Sequence, residues 1–105
     1  MGPVIVIGGY GRLGSRCVGE LLETTSAPIV IAGRSGQRAA RVAMARGART
    51  RGEYLNAGDL RTLHPLVPEA SVVVVCSGPH CLGLLDLALQ ARVPIVTSCA
   101  LPLDA

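Results

Sequence analysis

Four short stretches of the chain are continuously apolar and rich in β-branched residues: Val4 to Ile7, Ile29 to Ala32, Val72 to Cys76 and Val93 to Val96. Bounded by Gly, Pro or Ser, they predict parallel strands buried on both faces, since a strand with one wet face would alternate. Between them the pattern changes to helical spacing, with Leu13, Cys17, Val18, Leu21 and Leu22, then Ala39, Val42, Ala43 and Arg46, and later Leu84, Leu85, Ala88 and Leu89. A weaker strand is expected over Ala48 to Leu55, and Asp59 is placed to cap a short helix carrying Leu60, Leu63 and Leu66 before Pro68. The order is βαβαβ, short helix, βαβ. No repeat, linker or low-complexity tract divides it, so residues 1–105 are expected to form one domain. Right-handed crossovers then give an α/β fold, a doubly wound parallel sheet of about five strands in the order 3-2-1-4-5. Ligands of such sheets bind outside the carboxyl ends of the strands, which directs attention to the loops after Ile7, Ala32, Leu55, Cys76 and Val96.

The first of these loops is Gly8-Gly9-Tyr10-Gly11-Arg12-Leu13-Gly14, containing Gly-x-Gly-x-x-Gly at Gly9, Gly11 and Gly14. Gly9 is expected to permit the tight turn, Gly11 to let the backbone approach a pyrophosphate, and Gly14 to let the helix pack close to the first strand. The helix N-terminus supplies free N–H groups for the phosphates. In a chain with thirteen glycines the motif alone is weak, but here it sits between a strand and a helix, the context the mechanism requires. Gly8 also permits a Gly-x-x-Gly-x-x-Gly reading with the same pyrophosphate assignment. Arg12 either reaches a phosphate or is solvated, and the sequence leaves both open.

At the end of the second strand a site for NAD would present Asp or Glu to the ribose hydroxyls. This chain has Ala32-Gly33-Arg34-Ser35 instead. A carboxylate would repel a 2′-phosphate, whereas Arg34 can pair with one bidentately and Ser35 can donate a hydroxyl hydrogen bond, so NADP is the expected cofactor. Arg38, one turn on, is a second candidate. The competing reading has Ser35 as a helix cap only and Arg34 as solvated surface. Asn56, after the third strand, is a candidate for an adenine edge or for turn chemistry.

Composition removes several classes of chemistry. All ten basic residues are Arg, so no lysine base, Schiff base or phosphate-binding lysine is present, nor the Tyr-x-x-x-Lys dyad associated with short-chain dehydrogenases. A net charge of +3 with two aromatic residues, both Tyr, gives no stacking platform for nucleic acid and suits a small anionic ligand. No apolar stretch reaches the roughly 18 residues of a membrane span. Met1-Gly2-Pro3 leads directly into the first apolar run, which predicts no signal peptide and a cytoplasmic protein. Cys17, Cys76, Cys81 and Cys99 show no Cys-x-x-Cys and are expected to be reduced thiols. Cys76, His80, Cys81 and Cys99 match no zinc spacing, so no metal is expected.

The Gly-loop, Ala32-Gly33-Arg34-Ser35 and Ser77-Gly78-Pro79 after the fourth strand together resemble the NADP-binding N-terminal Rossmann domain of saccharopine dehydrogenase-like proteins, over nearly the whole chain. The resemblance implies an oxidoreductase moving a hydride between NADP and an amino-acid-derived amine or imine, completed by a C-terminal catalytic domain. It places Gly9, Gly11 and Gly14 on the pyrophosphate, Arg34 and Ser35 on the 2′-phosphate, and Ser77, Gly78 and Pro79 on the nicotinamide side. The sequence departs from the family at His80, where an aromatic often follows Gly-Pro, and at Thr97, where an Asp is often found. His80 is the one acid or base candidate beside the nicotinamide, no catalytic group is assigned, and His64 is read as surface. The alternative is a stand-alone NADP-binding module without catalysis. In either case turnover by these 105 residues alone is not expected, and an uncovered inter-domain face leaves a homodimer open.

Overall fold

A computed structural model describes residues 2–76 and 82–97, with the side chain of Leu82 left out. Five strands, β1 (Val4–Ile7), β2 (Ile29–Gly33), β3 (Thr50–Tyr54), β4 (Val72–Val75) and β5 (Ile95–Thr97), form one parallel sheet in the order β3-β2-β1-β4-β5. The helices are α1 (Arg12–Thr24), α2 (Gly36–Arg46), α3 (Leu60–Leu63) and α4 (Leu82–Ala91), with a single 3-10 turn over Val67–Glu69. The doubly wound, Rossmann-like topology expected from the pattern is the observed one.

Two apolar layers hold the sheet. On one face Val4, Val6, Ile29 and Ile31 pack against Val18 of α1 and Ala39 and Ala43 of α2. On the other, Ile5, Ile7, Val30, Val73 and Val75 pack against Leu63, Val67, Leu84, Leu87 and Ala88. Burial of both faces holds for β1 and β2 but not for β4 and β5: Val72 and Val74 are half-buried and Val96 is 56% exposed. The reason is topological. The two crossovers that run toward β3 lay α1 and α2 over one side of β1 to β3, and the crossovers that run toward β5 cover only the opposite face. Helical spacing likewise identified helices without orienting every residue, since Leu13 is 50% and Leu89 76% exposed while Leu87 turns inward. The last strand begins two residues later than its apolar run, because Val93 and Pro94 lead into it: the Val93 N–H bonds the Ala88 carbonyl, and Pro94 accepts from Val73.

Arginine closes the helix ends. Arg49 donates to the carbonyls of Leu22 (2.6 Å) and Thr25 (2.8 Å) at the end of α1 and of Ala27 (3.0 Å) in the turn that follows, where the helix supplies no donor of its own. Arg46 joins α2 to α1 through the backbone oxygen and hydroxyl of Ser15, both at 2.8 Å. Arg49→Ala is expected to lower unfolding free energy by about 1.5–3 kcal/mol, the usual net worth of hydrogen bonds to a charged group. Arg49→Lys should recover only part, since one ammonium cannot span the three carbonyls as a planar fork does. Urea denaturation measures it, and a loss under about 0.5 kcal/mol would mean that water replaces the guanidinium without cost.

Asp59 caps α3 as the sequence implies, accepting from the Arg61 N–H at 3.0 Å and pairing with the Arg61 guanidinium at 3.0 Å. Those bonds hold the Asp59 carboxyl below the usual carboxylate range, so the cap is complete at neutral pH and weakens only as pH falls through that lowered value. Among the described residues no helix is long and apolar enough to cross a membrane.

Candidate functional site

The ladders run one residue past the strands, so the loops start level with one another. The Gly8 N–H bonds the Ala32 carbonyl (2.8 Å), Cys76 bonds Ile7 (2.9 Å) and Leu55 bonds Gly33 (2.9 Å). The loops after β1, β2 and β3 therefore open along one sheet edge, the edge at which such folds bind ligands.

Within the first loop the left-handed residue is Gly8, at φ 81°, and its carbonyl accepts from the Gly11 N–H at 3.0 Å. The turn is thus made possible by Gly8, not by Gly9 as the motif alone implied. Gly9 is crowded for a different reason: a Cβ there would stand 3.0 Å from Ile31 Cγ2 and 3.2 Å from the Val6 oxygen. At Gly14 a Cβ would fall onto the Gly8 carbonyl oxygen and 2.7 Å from Gly9 Cα, so the third glycine does allow α1 to sit against the loop.

Gly11 differs from both. Its backbone is extended, and a Cβ would meet only the Gly8 oxygen, at an ordinary 3.4 Å. Nothing in the described fold demands glycine there, and its backbone is open to close approach from outside. Gly11 is the N-cap of α1, no side chain caps the helix and no acidic residue lies in its first turn. The first N–H groups of α1 consequently have no intrahelical acceptor and point, with the positive end of the helix dipole, into this loop. The chemistry available is that of an anion cradle. Arg12 and Leu13 lie exposed in the first turn of α1, directly after Gly11.

At the end of β2 the structure brings together Tyr10, Ser35 and Arg38. The Tyr10 hydroxyl accepts from the Ser35 N–H at 3.2 Å, and the Arg38 guanidinium carbon lies 4.7 Å from the centre of the Tyr10 ring. Ser35 caps α2, its Oγ accepting from the Arg38 N–H at 3.2 Å. Capping uses the oxygen as acceptor and leaves the hydroxyl hydrogen to donate, so the cap and phosphate readings of Ser35 are compatible. Arg34 and Arg38 are exposed.

Asn56 stands beyond Leu55 at the same edge, where its Oδ1 accepts from the Gly58 N–H (3.0 Å) and its backbone N–H and carbonyl are held by Thr62. This is the turn chemistry that the sequence allowed, and it occupies the side-chain oxygen. His64 is exposed, as expected, and Cys17 is a half-buried thiol on α1. Ser77, Gly78, Pro79, His80, Cys81 and Cys99 lie outside the described residues, and among the described ones no group of three metal-ligating side chains occurs.

No protein-family model and no curated protein sequence matches the chain. Solved structures do. A saccharopine dehydrogenase (L-Glu forming) from Saccharomyces cerevisiae superposes with a TM-score of 0.80 at 18% identity, covering 96% of this chain and 22% of that one. A short-chain dehydrogenase/reductase from Veillonella parvula, solved with NADP, gives 0.75 at 16% identity over 91% of this chain and 46% of that one. A triphenylmethane reductase from Citrobacter gives 0.74 at 21% identity over 90% and 36%. The chain spans less than half the length of each of these proteins, and at such identities the likeness shows the fold, a Rossmann-like α/β domain of the kind built into several reductases.

Proposed function

We propose that the chain is the NADP-binding domain of an oxidoreductase, with the phosphates of the dinucleotide on the Gly8 to Gly14 loop and the 2′-phosphate at Arg34 and Ser35. The observation that carries it is the pairing of an uncapped α1 beneath Gly11 with a β2 end that offers Arg34 and a free hydroxyl hydrogen where an NAD site needs a carboxylate. The residues fit the group. A bound NADP supplies the hydride donor or acceptor, while this chain binds and orients the adenosine and pyrophosphate end. Following the resemblance to saccharopine dehydrogenase-like proteins, the substrate class is an amino-acid-derived amine or imine. Ser77, Gly78 and Pro79 then wall the nicotinamide, a C-terminal domain completes the active site, and the protein works in the cytoplasm.

A second reading, a binding module that senses NADP without chemistry, is favoured by one observation. The described loops after β1, β2 and β3 hold no histidine and a single carboxylate, Asp59, which is committed to capping α3. An acid or base for hydride transfer would have to come from elsewhere.

NADPH is expected to bind more tightly than NADH by about 10- to 150-fold, from ~1.5–3 kcal/mol of charge-assisted hydrogen bonding to the extra phosphate. Calorimetric titration of the wild type and of Arg34→Ala with both cofactors tests this. Equal affinities in the wild type, or an unchanged preference in Arg34→Ala, would remove the assignment.

A further inference from the structure

Tyr10 is one of two aromatic residues in the chain, and it lies at the center of the β2 corner rather than on the pyrophosphate cradle. Its ring fills the space over Gly33, where a Cβ would stand 2.5 Å from the Tyr10 hydroxyl and 2.6–2.7 Å from the ring carbons. From that position it makes two contacts with different chemistry. The hydroxyl oxygen takes the Ser35 N–H, which ties the Gly-loop to the start of α2, and the ring face takes the Arg38 guanidinium. Ser35 in turn accepts from the Arg38 backbone, so the three residues form a closed set.

An exposed arginine is costly to recruit, because holding its long side chain in one place loses rotamer freedom that the ligand would otherwise have to offset. A guanidinium already resting on an aromatic face has lost much of that freedom before the ligand arrives. The Tyr10 hydroxyl, having accepted from Ser35, still has its own hydrogen to donate, and no acceptor for it is found among the described residues.

We propose that Tyr10 is a specificity-determining positioning residue: its ring and hydroxyl hold Arg38 and Ser35 where, with Arg34, they receive the 2′-phosphate and so select NADP over NAD. The inference rests on the NADP site proposed above. It adds that selectivity depends on a residue of the pyrophosphate loop, acting mainly through Arg38, and not only on the residues at the end of β2.

The test uses 2′,5′-ADP and 5′-ADP as probes, which differ only in the phosphate concerned, titrated by calorimetry into the wild type, Tyr10→Phe, Tyr10→Ala, Gly33→Ala and Arg38→Leu. The wild-type ratio of affinities for the two probes should fall about 3-fold in Tyr10→Phe, which keeps the ring, and about 10- to 30-fold in Tyr10→Ala. Gly33→Ala should reproduce most of the Tyr10→Ala effect with Tyr10, Ser35 and Arg38 all present. The three atoms nearest its new methyl all belong to the end of the tyrosine side chain, which can swing aside, so folding is retained. In an Arg38→Leu background, Tyr10→Ala should lower the ratio by less than about 3-fold, since little remains to be positioned.

A ligand-free readout accompanies these. The Arg38 side-chain protons should show ring-current shifts in the wild type that vanish in Gly33→Ala. An unaltered ratio in both Tyr10→Ala and Gly33→Ala, or equal weakening of the two probes, would overturn the positioning role. If Arg34→Ala loses the ratio while Tyr10→Ala keeps it, this inference fails and the NADP site stands. A wild type indifferent to the 2′-phosphate would sink both.

Discussion

Gly11→Ala is expected to weaken NADPH binding by at least about 100-fold while leaving the fold intact. The ligand-binding loss comes from geometry: the N–H groups at the start of α1 reach a pyrophosphate only if its oxygens come down onto the Gly11 backbone, and a methyl there holds them off. Losing two charge-assisted hydrogen bonds of about 1.5–3 kcal/mol each corresponds to roughly 10²- to 10⁴-fold in affinity. The fold should be indifferent. Gly11 has an ordinary extended conformation, the new Cβ would stand 3.4 Å from the Gly8 oxygen, and the chain loses some unfolded-state freedom in return. Thermal unfolding followed by circular dichroism, run beside the titration, should place the midpoint within a few degrees of wild type. Undiminished affinity in the folded variant would put the phosphates somewhere other than this loop.

That contrast among glycines also marks the limit of what the sequence makes legible. Strand and helix periodicity locates every major element because each is a local pattern, and the crossover rule then narrows the chain to a few doubly wound orders, of which 3-2-1-4-5 is the observed one. The motif, equally local, picks out a loop that follows β1 at the carboxyl edge of the sheet. It does not separate Gly8, which takes the left-handed turn, from Gly9, which is crowded by Ile31, since one role is a dihedral angle and the other a contact with a strand more than twenty residues away. Arg49 reads as surface charge until the end of α1 is seen to converge on it. Tyr10 is a filler position in Gly-x-Gly-x-x-Gly, and only the packing of its ring on Gly33 reveals a link between the two halves of the site. The half-covered state of β4 and β5 is likewise a property of where helices land, which an apolar run cannot report.

Gly52→Ala is expected to be strongly damaging, lowering stability by about 2–3 kcal/mol and the melting midpoint by roughly 10–20 °C. Gly52 pairs with Ile31 in the centre of β3 and carries α2 directly over its Cα. A Cβ there would fall onto the backbone of Ala39 and Ala40, overlapping the Ala39 carbonyl carbon and the Ala40 nitrogen. Those atoms cannot step aside as a side-chain tip can; α2 must lift from the sheet as a body, pulling Ala39 and Ala43 out of the layer they form with Ile29 and Ile31. The same movement carries a functional penalty. Ser35 and Arg38 ride on the first turn of α2, so their contacts with Tyr10 should loosen, and the variant should lose discrimination between 2′,5′-ADP and 5′-ADP even at temperatures where it remains folded. Affinity for 5′-ADP should change less, because the cradle under Gly11 belongs to α1. Urea and thermal denaturation give the first number and calorimetry the second. A Gly52→Ala protein that melts with wild type would show that α2 can rise from β3 at no cost. One that is destabilised yet keeps its full preference for the 2′-phosphate would show that α2 does not place the groups that read it.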